Sequence, residues 1–126
     1  MFNNPKENKY SKTHEWVKEE DDYYVIGLTD FAQDALGDIV FVNLPEVGDA
    51  VTAGEAFSDV ESVKAVSDVF SPVSGVVAEV NEELLDAPEK INEACYDAWL
   101  IKVENVTEAE ELLDAEAYQE FCENEG

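Results

Sequence analysis

The chain has 126 residues, enough for one domain with one core that folds without staples, and 45% of them are apolar, too many for disorder. It carries 31 Asp and Glu against 7 lysines and no arginine, a formal net charge of −24 at pH 7. That balance excludes nucleic acid and anionic membrane surfaces as partners, because phosphate contacts need Lys or Arg. No stretch approaches the roughly 20 apolar residues of a membrane span. Acidity of this density steers association with basic patches on partner proteins, and it equally serves solubility in a salty cytoplasm.

Residues 1–9 are polar and read as loose. The start, Met1-Phe2-Asn3-Asn4-Pro5-Lys6, has neither the apolar run of a secretory signal nor the Arg-rich pattern of a transit peptide. That points to a cytoplasmic chain, with a mature mitochondrial chain as the alternative. Residues 10–16 lead into a strand, residues 19–22 read as a hairpin turn, and Tyr23 to Leu28 return as a second strand. Thr29 is a candidate N-cap for a short helix over residues 30–36, stopped by Gly37. The β-branched run 38–44 ends at Pro45, and Gly48-Asp49 is a turn. From Val51 to Val80, short strands are separated by Gly54, by the segment around Lys64 and by Ser71-Pro72-Val73-Ser74-Gly75, after which 76–80 alternate with period two. Short helical signals at 81–85 and after Pro88 precede a strand over 99–103. The pattern Thr107-Glu108-Ala109-Glu110 reads as a capping box opening a helix over 107–122, with Ala109, Leu113, Ala117 and Phe121 on one face. The sum is a mainly β single domain over residues 1–126, compact and antiparallel, with small helical insertions and a C-terminal helix packed outside it.

Cys95 and Cys122 form no CxxC motif and read as buried thiols. With one histidine, His14, they do not make a zinc site. The informative residue is Lys64, the one cation between Glu19 and Glu89. A lysine that acts as a nucleophile on its own account is desolvated or set beside other cations. Lys64 has Asp59, Glu61 and Asp68 close by in sequence instead, the setting of a residue to be modified rather than of a catalyst. A tight turn between two paired strands projects such an amine from a fixed backbone, with Val60, Val63 and Val69 as candidate anchors. Ser62 and Ala65 are small and leave room for an approaching enzyme.

The segment Glu61-Ser62-Val63-Lys64-Ala65-Val66-Ser67-Asp68, followed by Phe70-Ser71-Pro72-Val73-Ser74-Gly75-Val76-Val77, resembles the lipoyl-attachment region of glycine cleavage system H proteins. The resemblance extends through Thr13-His14-Glu15-Trp16-Val17, Ile26-Gly27-Leu28-Thr29-Asp30-Phe31-Ala32-Gln33, Leu36-Gly37-Asp38-Ile39-Val40-Phe41-Val42, Leu44-Pro45 and Glu79-Val80-Asn81 to the acidic tail with Tyr118 and Phe121. It covers nearly the whole chain in order. It implies a barrel-sandwich hybrid of two small antiparallel sheets, with lipoate in amide linkage to Lys64 on an exposed hairpin. It also implies three enzymes that the arm visits. A glycine decarboxylase (P protein) loads an aminomethyl group, an aminomethyltransferase (T protein) takes the one-carbon unit, and dihydrolipoamide dehydrogenase (L protein) reoxidises the dithiol. By the same resemblance a lipoate ligase or a lipoyl/octanoyl transferase modifies Lys64 and reads Glu61, Ser62, Val63 and Ala65, while Thr13, Glu15 and Asp68 match positions near an arm-docking cleft. The chain itself is then a non-catalytic carrier and a monomer.

One stretch departs from the family pattern. Where the family usually has Pro-Tyr, a spacer and Gly-Trp, this chain has Ala94-Cys95-Tyr96-Asp97-Ala98-Trp99, and replacing Gly by Ala narrows the backbone angles available there. Three alternatives follow. An H-like protein that donates lipoate to other proteins shares the same hairpin. A biotin carrier would typically show methionines beside the lysine, where Val63 and Ala65 stand. A lipoyl domain of a 2-oxo acid dehydrogenase would usually show Asp-Lys-Ala and a flexible linker. An enzyme finds no nucleophile–base pair, metal cluster or phosphate loop in the sequence, and a protein that only interacts would not need Lys64.

Overall fold

The computed structural model describes residues 4–20 and 22–125. Residues 1–3, Asp21, Gly126 and the side chain of Glu125 lie outside that description, and with them part of the N-terminal segment and of the 19–22 turn. Strands β1 (Lys9–Tyr10), β2 (Glu15–Glu20) and β3 (Tyr23–Leu28) lead to helix α1 (Asp30–Leu36). Next come β4 (Ile39–Asn43), β5 (Ala50–Val51), β6 (Ala56–Ser62), β7 (Val66–Phe70) and β8 (Val73–Val80). The short helices α2 (Glu83–Asp86) and α3 (Lys90–Glu93), strand β9 (Ile101–Ala109) and helix α4 (Ala115–Glu125) complete the order. Six strands form one antiparallel sheet in the order β1-β2-β3-β9-β8-β5, and β4-β6-β7 form a second. This is the two-sheet, mainly β architecture expected from the sequence. No helix among the described residues is long and apolar enough to cross a membrane.

Both faces of the β2–β3 pair are buried, which explains why Tyr23 to Leu28 read as a nearly unbroken apolar run rather than an alternation. Val17 and Ile26, directly opposite each other, point into the main core with Val42, Val60, Val69 and Val77. Trp16 and Val25 face the other way, into a second cluster with Tyr10, Tyr118 and Cys122. Helix α4 covers that second face, and Tyr118 stacks on Tyr10 with ring centroids 4.7 Å apart. Thr29 caps α1 by accepting from the Ala32 N–H, and Gly37 ends the helix at φ 81°, a conformation that favours glycine.

Three boundaries differ from the sequence reading. Residues 8 and 9 are not loose: Asn8 is buried and Lys9 is already in β1, because the Tyr10 and Leu113 peptide groups exchange hydrogen bonds of 2.7 and 2.8 Å. The second difference is at 71–75, where only Ser71 and Pro72 interrupt the strands. The Ser71 hydroxyl donates to the Val73 carbonyl at 2.6 Å, and β8 starts at Val73.

The third concerns the helix expected over 107–122. Thr107 to Ala109 continue β9, paired through Ser74↔Glu108 and Val73↔Ala109, and the Glu110 N–H donates to Pro72 O at 2.8 Å. The β-branched pair Val106 and Thr107 suits the strand, and a neighbouring strand offers ladder bonds that the capping box does not outweigh. The helix begins instead after Asp114, whose Oδ1 accepts from the Ala117 N–H at 2.8 Å. Its buried residues are therefore Tyr118 and Cys122, with Ala117 and Phe121 only partly covered.

Gly75 sits where β8 lies tightly against the β9 backbone. A Cβ there would stand 2.6 Å from the Glu104 carbonyl oxygen and 2.6 Å from Val103 Cγ1. Backbone cannot yield as a side-chain tip does, so Gly75→Ala is expected to destabilise the fold by about 2 kcal/mol. Urea unfolding of the two chains measures the difference.

Candidate functional site

Lys64 lies on the connection between β6 and β7, at one end of the three-stranded sheet, and is exposed. The strands beneath it are fixed by their inner residues: Val60 and Val69 are 0% exposed. Val63, a candidate anchor from the sequence, is not one. It is 69% exposed, because residues at the tip of the hairpin have no second sheet to pack against. The turn is held by Ser62 instead. Its backbone N–H donates to Ala65 O at 2.8 Å, while its hydroxyl accepts from the Lys64 and Ala65 N–H groups at 3.3 and 3.1 Å. A serine at this position replaces backbone acceptors with its own oxygen, the short-range bonding that suits Ser to turns.

A platform supports the tip from the side. The Val63 N–H donates to Asp38 O at 3.1 Å. The 37–39 loop is clamped by Asn92 of α3, which accepts from the Ile39 N–H at 2.8 Å and donates to Gly37 O at 2.8 Å. The stem of Lys64 passes over Gly37, where an added Cβ would meet Lys64 Cε at 3.4 Å. Among the described residues the Lys64 ammonium enters no ion pair, so the carboxylates close to it in sequence do not bind it. Asp59 and Asp68 stand opposite each other across β6 and β7. The Asp59 carboxylate accepts instead from the Asn43 amide. The result is an unencumbered primary amine on a rigid turn, suited to forming an amide. Asn92 has no local sequence signal and Gly37 signals only a helix stop, since their roles beneath the lysine arise from a contact between α3 and the α1–β4 loop.

The structure brings Thr13 and Glu15 together and keeps Asp68 on the exposed side of β7. Glu15 is only 1% exposed. Its Oε1 accepts from the Ser11 hydroxyl at 2.6 Å and from the Thr13 hydroxyl, and its Oε2 accepts from the Phe70 N–H at 3.4 Å. Glu15 thus ties the 11–15 loop to the strand that leads back from Lys64. Burial pushes its carboxyl up to about 7, against the downward pull of the Ser11, Thr13 and Phe70 donors, with Glu110 adding to the rise. The same loop is fastened to α4. His14, at φ 73°, contacts the Tyr118 hydroxyl through Nδ1 at 2.7 Å, and that hydroxyl bonds Thr29 Oγ1 at 2.7 Å.

In the stretch that departs from the family pattern, Ala98 is buried and is not among the described residues with positive φ, so the backbone there does not require glycine. Cys95 is buried, its thiol pushed up to about 12 by burial first and by Asp30 next, and its carbonyl accepts from the Trp16 indole N–H at 3.1 Å. Tyr96 accepts from the Asp30 N–H at 3.2 Å through its hydroxyl.

Comparisons with known proteins converge on one family. Residues 8–125 match the family model described as glycine cleavage H-protein. A glycine cleavage system H protein from Lachnoclostridium phytofermentans is 61% identical over 117 residues, 92% of each chain. One from Halalkalibacterium halodurans is 58% identical, covering 99% of this chain and all of that one. The crystal structure of a glycine cleavage system H protein from Mycobacterium marinum superposes with a TM-score of 0.87 at 41% identity, covering 97% of this chain and 98% of that one.

Two variants test the local arrangement. Ser62→Ala removes the hydroxyl that holds the turn, and amide exchange at Lys64 and Ala65 is expected to quicken about fivefold, the equivalent of about 1 kcal/mol. Exchange in β8 and β9 stays unchanged. Glu15→Gln removes a titration. Because the folded carboxyl binds its proton more tightly than the unfolded one, the native state loses stability as pH rises from about 4.5 through about 7. Relative to Glu15→Gln, the parent chain is expected to lose on the order of 2 kcal/mol between pH 5 and pH 7.5, read by urea unfolding at constant salt.

Proposed function

This chain belongs to the glycine cleavage H-protein family, lipoyl carriers rather than catalysts, and we propose that Lys64 is its point of lipoyl attachment. The observation that carries this reading is an exposed amine that enters no ion pair among the described residues, on a turn whose strands are buried to 0% at Val60 and Val69. The residues present fit the group: the amine is accessible, Ser62 and Asp38 fix the backbone that bears it, and Gly37 leaves space along the lysine stem. When attached, the lipoyl group would supply a redox-active disulfide for carrying an aminomethyl group between a glycine decarboxylase (P protein), an aminomethyltransferase (T protein) and dihydrolipoamide dehydrogenase (L protein).

This chain's own residues do the holding and presenting. Amide formation removes the charge of Lys64, so its modified side chain is free to lie along the protein surface. Glu61, Ser62, Val63 and Ala65 are what a lipoate ligase or a lipoyl/octanoyl transferase would meet around the amine. Thr13 and Asp68 are exposed and Glu15 lies behind Thr13, bonded to it. In this reading Thr13 and Asp68 receive an amine at the end of the arm, the Asp68 carboxylate by a charge-assisted hydrogen bond, and Glu15 acts through the Thr13 hydroxyl it holds. The chain acts as a monomer in the cytoplasm.

Intact mass after incubation with lipoate, ATP and a lipoate ligase tests the assignment. One lipoyl adduct is expected on the parent chain and none on Lys64→Arg. An adduct that persists in Lys64→Arg, or a bare parent chain that still supports glycine–carbon dioxide exchange by the decarboxylase, would overturn it. Glycine–carbon dioxide exchange by the lipoylated chain separates the shuttle from a lipoate donor.

A further inference from the structure

The 11–15 loop and helix α4 are joined by a line of hydrogen bonds whose direction is set at its buried end. The Ala32 N–H donates to Thr29 Oγ1 at 3.2 Å, Thr29 Oγ1 lies 2.7 Å from the Tyr118 hydroxyl, and that hydroxyl lies 2.7 Å from His14 Nδ1. Thr29 and Tyr118 are both 0% exposed, so water does not reach their hydroxyls. Burial holds the Tyr118 phenol well above its usual range, so it always has one hydrogen to give. With Nδ1 bare, Thr29 donates to Tyr118 and Tyr118 donates to His14, and every donor in the line has an acceptor. With a hydrogen on Nδ1 the line reverses. His14 then donates to Tyr118 and Tyr118 to Thr29, whose own buried hydrogen is left unpaired, a costly state. The other acceptor beside Tyr118 is the Cys122 thiol, and sulfur accepts weakly.

We infer that His14 and Tyr118 are positioning residues for the 11–15 loop, and that they hold Thr13 and Glu15 in place only while His14 is neutral with its hydrogen on Nε2. What this does to the cargo of the arm rests on the carrier reading above; the hold on the loop does not. His14 stands at φ 73°, a left-handed conformation that a residue with a side chain keeps where its contacts impose it. Those contacts converge from two helices. The ring stacks on Phe31 with centroids 4.4 Å apart, and Tyr118 and Phe121 flank it at 5.7 and 5.9 Å. The His14 carbonyl accepts from the Thr29 N–H at 3.2 Å, and the His14 N–H donates to Ser11 O at 3.1 Å. Among the titratable groups around it, α4 contributes Tyr118 with Cys122 beside it. Asp30, at the start of α1, accepts from Gln33 Nε2 at 2.8 Å. Glu15, the neighbour in the loop, turns its carboxyl to Ser11, Thr13 and Phe70. A proton on Nδ1 is therefore felt first at the Tyr118 hydroxyl, the point where the loop is tied to α4.

The test uses the full unmodified chain labelled with nitrogen-15. Imidazole nitrogen shifts of the parent at about pH 8, above the ordinary histidine range, are expected to place the hydrogen on Nε2. Tyr118→Phe keeps the ring that stacks on Tyr10 and removes only the hydroxyl. In it, amide-exchange protection at His14, Glu15 and Thr29 is expected to fall about fivefold at neutral pH, with β8 and β9 unchanged. His14→Asn sets an oxygen where Nδ1 stands, tolerates the left-handed backbone and does not titrate. Between roughly pH 7.5 and 5.5, where an imidazole ordinarily gains its proton, the parent is expected to lose about fivefold more of that protection than His14→Asn. Any acid loss that remains in His14→Asn belongs to Glu15. In a second arm the lipoylated chains are loaded by glycine decarboxylase, and the aminomethyl group is expected to leave Tyr118→Phe about threefold faster than the parent. A hydrogen on Nδ1 in the parent overturns the inference. So does unchanged protection in a folded Tyr118→Phe, or an equal acid loss in the parent and His14→Asn. Should Tyr118→Phe not fold, the comparison of the parent with His14→Asn decides alone. Lowered protection with cargo leaving at the parent rate upholds the positioning and overturns the arm-docking reading of Thr13 and Glu15, so the two failures are told apart.

Discussion

A carrier amine must be exposed while the backbone that bears it stays still, and in the role proposed for Lys64 both demands fall on the β6–β7 hairpin. Exposure comes from the tip, where no second sheet covers Val63, Lys64 or Ala65. Stillness comes from the inner face, where Val60 and Val69 are 0% exposed and each contributes roughly 1.5–3 kcal/mol of burial. Against a net stability of about 5–15 kcal/mol for a domain of this size, these two side chains are a large share. The Ser62 hydroxyl, the Asp38 carbonyl and the Asn92 amide carry that rigidity outward to the last residues before the lysine.

Electrostatics shape the same region by exclusion. Asp59 faces Asp68 across two strands, an unfavourable like-charge pairing. The Asn43 amide relieves one of them as donor, and among the described residues the Lys64 ammonium enters no ion pair. A lysine held in an ion pair would have to be released before it could be acylated. The acidic surroundings therefore surround the amine without trapping it, while presenting a charge that basic partners can find at a distance.

Glu15 is the exception to a surface rich in solvated acids. Burying a carboxyl is costly unless donors surround it. Ser11, Thr13 and the Phe70 N–H supply three, which joins the 11–15 loop to β7. The loop is braced again by His14, whose contact with Tyr118 links it to α4 and through Thr29 to the cap of α1. The C-terminal helix is thus more than a lid over Trp16 and Tyr10. It fixes the loop that carries Thr13 and Glu15.

Much of this was legible in the chain itself. The strands from Tyr23 to Leu28 and from Ile39 to Asn43, the Thr29 cap, the Gly37 stop and the solitary Lys64 all follow from local rules: periodicity, capping, turn chemistry and a count of cations. What remained hidden depended on partners distant in sequence. Residues 107–109 carry a capping box, yet β8 offers them a ladder, and no local pattern records that β8 lies alongside. Val63 looks like an anchor beside Val60, but only the position of the second sheet decides which valine is covered. The resemblance singles out Glu15 for a docking cleft, but nothing local marks it as buried, and its burial comes from a loop folding onto Phe70, 55 residues away. The sequence by itself singled out Lys64 as the proposed carrier residue and marked most of the segments that are strands. The tertiary structure alone decided which side chains are buried, because burial is a property of what packs above a residue and not of the residue.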